Sequence, residues 1–312
     1  MQIMLQGENV LLLGHSRVLL QHRVLSDCLS VIVRNMQSKS VNKKTYKTLL
    51  TIAGSDSIGG AGIQADIKTA SALSVYAMSA ITAVTAQNTT GVQTYKPVGA
   101  DILRAQLQSV ICDVQPDAIK IGMLPDKEAI DVVAEFLECN SLKNVVLDPV
   151  CVATSGDRLS AMDTPAYMAG RLFRLATVIT PNIPELRLLS GVADNAETGV
   201  GELYKMYGCR AVLVKGGHLD STVCSDCLYT VDDGRISLAV KVDNGRLSTP
   251  NTHGTGCTLS TAIGCYLAKG CELSEAVRKA IEWLHGAISA GADYSFGHGH
   301  GPVKHFYNNE ES

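Results

Sequence analysis

The sequence predicts an α/β protein in which a mostly parallel central sheet lies between two layers of helix. Three observations lead there. From Tyr46 onward, short apolar runs alternate with segments of helical periodicity, the pattern of repeated strand–helix units. Several of these runs are apolar at consecutive positions, as strands are when helices cover both faces of a sheet. Glycine is frequent, at 28 of 312 residues, while aromatic residues make up 5%. That mix suits tight turns and close helix–sheet packing.

In chain order, strands are expected at Leu49–Ala53, Ala80–Thr85, Ala118–Ile121, Val145–Leu147, Thr177–Thr180 and Ala211–Val214. Ile63, Ile67, Ala70 and Leu73 recur at helical spacing and predict an amphipathic helix after the first strand. Leu228–Val231 and Ile236–Val240, around Asp232-Asp233-Gly234, read as a hairpin at a sheet edge. Val277, Ala280, Ile281, Leu284 and Ile288 mark a late helix closed by Gly291. No long linker and no internal repeat interrupts the pattern, so residues 46–308 are read as one domain. Ligands of such open sheets bind beyond the carboxyl ends of the strands.

The formal net charge of −3, with 46% hydrophobic and 18% charged residues, gives no electrostatic case for a nucleic-acid partner. No apolar stretch approaches the roughly 20 residues that span a bilayer. The ten cysteines, Cys112, Cys139, Cys209 and Cys265 among them, are scattered through apolar runs. They read as reduced thiols in a reducing compartment. Cys224 and Cys227 form one C-x-x-C pair, which lacks the second pair of a zinc site and the context of a redox motif. Residues 1–45 carry Arg17, Arg23, Arg34, Lys39, Lys43 and Lys44 against Glu8 and Asp27. This extension reads either as an organelle leader or, the preferred reading, as an over-extended start ahead of Met36.

The sharpest local motif is Asn251-Thr252-His253-Gly254-Thr255-Gly256-Cys257-Thr258, leading into a small-residue apolar segment. A Gly-x-Gly turn opening a helix aims backbone N–H groups and the positive end of the helix dipole at an anion. A plain glycine loop is the alternative. Cys257, at the helix start, is either a thiol acidified by the dipole and usable as a base or one more buried cysteine. A second glycine-rich turn, Ala53-Gly54-Ser55-Asp56-Ser57-Ile58-Gly59-Gly60-Ala61-Gly62-Ile63-Gln64-Ala65-Asp66, follows the first strand. It lacks the order of a P-loop and of a dinucleotide fingerprint. Small residues here let a flat ring lie on the backbone with Asp56 or Asp66 as acceptor; a tight turn capped by Asp56 is the other reading. Gln87 follows a strand and offers an amide to a ring edge. Asp148 and Glu185 stand where a divalent cation could be held, and Lys215 where a cation could meet phosphate oxygens. His298 and His300 sit in a glycine-rich tail that explains them better than a metal pair does.

Together these residues resemble the hydroxymethylpyrimidine/phosphomethylpyrimidine kinases of the ribokinase-like superfamily. The resemblance runs from Leu49 to Phe306. It takes in the Ala53–Asp66 turn, Thr85–Gly91, Lys120-Ile121-Gly122-Met123, Asp148-Pro149-Val150, Pro181–Glu185, Lys215–His218, Asn251–Ser260 and Gly299–Val303. It implies a three-layer α/β/α ribokinase-like domain that transfers phosphate from ATP to a hydroxymethylpyrimidine and then to its monophosphate, in thiamine biosynthesis. By the same resemblance Gly54, Ala61, Asp66, Gln87 and Met123 bind the pyrimidine, and Gly254, Thr255 and Gly256 form the anion hole. Cys257 is the base on the hydroxyl, where many sugar-phosphorylating relatives carry aspartate. Lys215 and Thr255 contact ATP, and Glu185 and Asp148 organise Mg²⁺. Ile58 departs from the Ser or Gly expected there. A cytoplasmic homodimer is implied, and a fused thiamine-phosphate synthase is not expected after Val303. The nearest rival is a pyridoxal kinase, whose substrate is also a flat hydroxymethyl heterocycle. A ligand-binding regulator that kept the fold and lost catalysis is the rival from another class.

Overall fold

The computed structural model describes residues 44–150, 163–192, 195–217 and 222–308. It divides into two compact units, Tyr46–Leu107 with Pro116–Ser312, and Met1–Thr45 with Gln108–Gln115. In the second unit the described residues are 44–45 and 108–115, the latter ending a helix and the turn after it. His218 and all but the last two residues of the 1–45 extension lie outside the described residues.

The first unit holds an eight-stranded sheet. Its strands are β1 (Thr48–Ala53), β2 (Tyr76–Ile81), β5 (Ala118–Ile121), β6 (Val145–Leu147), β7 (Val178–Ile179), β8 (Ala211–Val214), β9 (Val223–Asp232) and β10 (Arg235–Gly245). They lie in the order β10-β9-β8-β7-β6-β5-β1-β2, and a separate two-stranded sheet pairs β3 (Ala83–Asn88) with β4 (Gly91–Pro97). From β2 to β8 every pairing is parallel; β8–β9 and β9–β10 are antiparallel. The central strands β1, β5, β6 and β8 are buried at every position, which is why they read as unbroken apolar runs. The predicted Asp-Gly hairpin is present, with Asp233 and Gly234 both at positive φ (46° and 80°) as a tight two-residue turn requires.

Eight α-helices accompany the sheet among the described residues: α1 (Gly62–Ala72), α2 (Ala100–Ile111), α3 (Lys127–Asn140), α4 (Thr164–Leu172), α5 (Ile183–Ser190), α6 (Ala196–Tyr207), α7 (Thr255–Ala268) and α8 (Leu273–Gly291). Helix α7 packs between α1 and α8 and lies on β1, β5 and β6, while α3, α4, α5 and α6 pack in succession. The edge hairpin β9–β10 receives α8 and α6. Helix α7 is buried over most of its length because it has neighbours on several sides, which explains its continuous small-residue apolar sequence.

Three expectations need correction. The run Ala80–Thr85 is not one strand: it straddles the end of β2 and the start of β3, with the chain turning at Thr82. In α1, Ile63 and Ala70 are buried as expected but Ile67 is 38% exposed, and Asp66 takes the inward position instead. Cys139, Cys209, Cys224, Cys227, Cys257, Cys265 and Cys271 are free thiols, whereas Cys112 is disulfide-bonded.

Candidate active site

One cavity of about 930 Å³ opens at the carboxyl ends of the parallel strands. It gathers the turn after β1, Gln87 of β3, Met123 after β5, Asp148 after β6, the start of α5, Lys215 after β8 and the start of α7. Every residue proposed from sequence except Asp66 lines it.

The Asn251–Cys257 turn is built as the glycines demand. Gly254 sits at φ +78° as the N-cap of α7, and a Cβ there would lie 1.8 Å from the Gly60 carbonyl oxygen. The two glycine-rich turns are thus pressed together in a way only glycine permits. Thr255, Gly256 and Cys257 form the first turn of α7, where a helix has no carbonyl of its own to offer its N–H groups. A Cβ on Gly256 would lie 3.3 Å from Asp148 Oδ2 and 3.4 Å from Lys215 Nζ, so both charged groups close on this turn.

Lys215 Nζ donates to Asp148 Oδ1 at 2.8 Å and lies 3.9 Å from Glu185 Oε2. Burial depresses its ammonium, but Asp148 and then Glu185 outweigh that and hold its pKa above the usual lysine value. Thr180 Oγ1 donates to the same Asp148 oxygen at 3.0 Å. Glu185 is fixed by a capping box: Asn182 N–H donates to Glu185 Oε2 and Glu185 N–H to Asn182 Oδ1, each at 2.8 Å. An isolated parallel bridge between Asn182 and Lys215 brings the two loops together.

The first glycine-rich turn is organised by Asp56, which is 1% exposed. Its carboxylate accepts from the N–H groups of Ile58, Gly60 and Ala61 at 3.1, 2.9 and 2.8 Å and lies 2.8 Å from His253 Nε2. Burial alone would raise its pKa. The hydrogen bonds from His253 and the backbone reverse that and leave the carboxyl below its ordinary value. Asp56 therefore holds the turn, and His253 joins the turn to the start of α7. Sequence reasoning quoted His253 within its motif without giving it a task, because its partner lies 197 residues away. Gln87 Nε2 lies 3.4 Å from the same His253 nitrogen. Met123 faces Gly54, its sulfur 3.0 Å from where a Cβ would be, and with Ala83, Val92, Tyr95 and Val150 makes a small apolar cluster apart from the main core.

Two expectations fail here. Asp66 is fully buried and absent from the cavity wall; it accepts from Lys120 Nζ at 2.9 and 2.8 Å, from Thr51 Oγ1 at 2.5 Å and from Thr261 Oγ1 at 2.7 Å. All its acceptor capacity serves this buried cluster. The Cys257 thiol is not acidified either: burial pushes it up, Lys120 pulls the other way, Asp66 and Asp148 raise it further, and the Gly62 N–H opposes them.

Strand ends that converge a helix-opening glycine turn, a lysine and two carboxylates on one cavity define a phosphoryl-transfer enzyme acting on a small molecule. The phosphomethylpyrimidine kinase family model matches residues 56–304, and the chain belongs to that family. It is 48% identical over 262 residues to the hydroxymethylpyrimidine/phosphomethylpyrimidine kinase of Rhizobium meliloti (strain 1021), an alignment covering 83% of this chain and 96% of that one. Among solved structures, the phosphomethylpyrimidine kinase of Clostridium difficile 630 is 39% identical with a TM-score of 0.67, covering 77% of this chain and 99% of the other. The pyridoxal kinase of Staphylococcus aureus in complex with ADP is 33% identical with a TM-score of 0.75, covering 85% and 96%.

Proposed function

We propose that this chain phosphorylates the hydroxymethyl group of 4-amino-5-hydroxymethyl-2-methylpyrimidine and then phosphorylates the resulting monophosphate, with ATP as donor, in thiamine biosynthesis. The observation that carries this reading is the placement of Gly254–Cys257, Lys215, Asp148 and Glu185 on one cavity wall, in a cavity also lined by Gln87, Met123, Gly54 and Ala61. The first group suits the transferring phosphate. The second suits a flat, polar-edged ring: glycine and alanine let it approach the backbone, Met123 supplies an apolar face, and the Gln87 amide can meet a donor–acceptor edge.

In the first transfer the alcohol oxygen attacks the terminal phosphorus in line, the bond to ADP breaks, and the hydroxyl proton leaves. The N–H groups of the α7 first turn receive the equatorial phosphate oxygens, with Thr255 beside them. Lys215 shifts from its carboxylates toward the phosphate oxygens. Burial keeps Cys257 mostly protonated, so the acceptor is its minor thiolate form, which takes the hydroxyl proton and becomes the thiol as the oxygen–phosphorus bond forms. Positioning and charge neutralisation supply most of the acceleration, as in phosphoryl transfer generally. In the second transfer the nucleophile is a phosphate oxygen that needs no base.

Among the described residues no group of three or more His, Cys, Asp or Glu is arranged to hold a metal. Two carboxylates, Asp148 and Glu185, do stand together, and that fits Mg²⁺, which commonly takes one or two carboxylates and completes its shell with water and phosphate oxygens. Bound there, it would supply charge neutralisation on the phosphates of ATP. No helix among the described residues is long and apolar enough to cross a membrane. We further place the kinase unit at residues 46–308 of a cytoplasmic homodimer.

ADP release tests the reading, with the pyrimidine alcohol, its monophosphate and pyridoxal compared in turn. Turnover of both pyrimidines with pyridoxal much slower is expected. The second reading, a pyridoxal kinase, is favoured by the pyridoxal kinases among the structural neighbours, and a preference for pyridoxal would establish it.

A further inference from the structure

The β3–β4 hairpin forms its own two-stranded sheet, and much of it faces solvent. Thr89, at its tip, is only 8% exposed. A buried threonine at the tip of an exposed ribbon needs a receptor, and residues 297–300 provide it. Thr89 Oγ1 accepts from the N–H groups of His298 and Gly299, both at 3.2 Å, and the Thr89 carbonyl accepts from the His300 N–H at 2.9 Å. The fit excludes any side chain: a Cβ on Gly299 would lie 2.0 Å from the Thr89 carbonyl oxygen, and one on Gly297 2.4 Å from Thr89 Oγ1.

The same tail is tied to the turn that opens α7. His253 N–H donates to the Gly301 carbonyl at 3.0 Å, and the Asn251 amide donates to the carbonyls of Gly291 and Tyr294 at 2.8 and 2.7 Å. The base of β3 is held separately by the first glycine-rich turn. Ser55 N–H donates to Ala83 O at 2.8 Å, Thr85 N–H donates to Ser55 Oγ at 3.1 Å, and Ser57 Oγ donates to Thr85 O at 2.5 Å. Gln87 lies midway between the anchors at Thr85 and Thr89. The β3–β4 register shifts between Ala86 and Gln87, which pairs with Val92 beyond the irregularity, and the Gln87 side-chain amide itself is held only by a 3.4 Å approach to His253 Nε2.

We propose that Thr89 is a positioning residue for Gln87: its clasp with the glycine tail 297–300 holds the hairpin at the height where the Gln87 amide meets the ring of the bound heterocycle. The proposal rests on the reading that Gln87 contacts that ring. Residues 298–300 hold Thr89, whereas the tail's backbone bonds to Asn251 and His253 are made at Gly291, Tyr294 and Gly301, so loosening the clasp bears on ring recognition while those ties to the phosphate-binding turn remain.

Steady-state kinetics and hydrogen exchange on the full chain test it. Thr89→Val keeps the side-chain shape and removes the acceptor, Thr89→Ser restores it, and Gly299→Ala obstructs the clasp from the other side. The heterocycle used is whichever of hydroxymethylpyrimidine and pyridoxal the wild type turns over. Thr89→Val and Gly299→Ala are expected to raise its KM about tenfold, the worth of roughly one hydrogen bond, with KM for ATP unchanged and Thr89→Ser near wild type. Exchange of the hairpin amides 84–96 should quicken in Thr89→Val and Gly299→Ala only. Unchanged hairpin exchange in Thr89→Val overturns the clasp. Faster exchange with an unchanged heterocycle KM, or equal rises in both KM values, overturns its link to Gln87. A wild type that prefers pyridoxal corrects the substrate assignment while the exchange result still decides the clasp.

Discussion

Cys257 and Lys215 both reach the anion-binding turn, but they are asked for different things. In the proposed mechanism Cys257 acts only in the step that releases a proton. Its replacement by alanine is expected to slow the first transfer about a hundredfold, the ordinary scale of a lost general base, and the second far less. Single-turnover rates with the alcohol and with the monophosphate check this, and equal losses would remove the base role. In the proposed mechanism Lys215 serves both transfers, because the phosphate charge it would neutralise is present in each. Lys215→Met is expected to lower kcat for both substrates by about two to three orders of magnitude. It also leaves Asp148 and Glu185 without their shared cation, so a parallel chemical-denaturation curve should show lost stability. A variant that affected one transfer alone would contradict the shared role.

Helix α5 shows how an element delivers a side chain. Asn182 caps it, Glu185 closes the box, and the same Glu185 carboxylate stands 3.9 Å from Lys215. One side chain therefore satisfies the N-cap N–H and contributes charge to the site. Asn182→Ala is expected to cost about 1 kcal/mol in urea denaturation and to raise the Mg²⁺ concentration needed for half-maximal rate, since the first turn that presents Glu185 loses its cap even though the backbone N–H of residue 182 still reaches Glu185 Oε2. A stability loss with an unchanged Mg²⁺ requirement would confine Asn182 to capping. Helix α7 shows the opposite economy of means: Gly254 at positive φ provides no side-chain cap, and of the first-turn N–H groups Thr255 makes a long 3.3 Å bond to the Thr252 carbonyl.

Across the whole molecule, the C-terminal tail closes the fold over α7. His305 is 5% exposed, its Nε2 lies 3.2 Å from Thr258 Oγ1 in the first turns of α7, and its ring also bonds the Val303 backbone. Burial first, and Lys68 second, drive its pKa from 6.5 down to about 4. Between those two values the unfolded chain binds a proton that the folded chain refuses. Stability therefore falls as pH drops through that window, by up to about 3 kcal/mol, and this contribution is flat below it. Denaturation curves at pH 7 and pH 4 are expected to show a smaller acid loss for His305→Gln than for the wild type. Identical losses would show that His305 is not the group that titrates.

The sequence by itself determined the parallel core, the family and most of the cavity wall. Buried strands such as Ala118–Ile121 and Ala211–Val214 betray themselves as unbroken apolar runs, and Gly254–Cys257, Lys215, Asp148 and Glu185 each end or begin an element. Local chemistry was enough for those, since a glycine turn before a helix states its backbone geometry in the residues themselves. What only the tertiary structure decided were the pairings between distant segments. Asp66 looked like a ligand acceptor until Lys120, 54 residues away, was seen to occupy it. His253 had no stated task until Asp56 was found against it. The break between β2 and β3 was hidden because the apolar run continues across Thr82, and strand partners, not residue types, place that turn. Charge compensation and hairpin docking are set by contacts far apart in the chain, and no window of sequence contains both sides of such a contact.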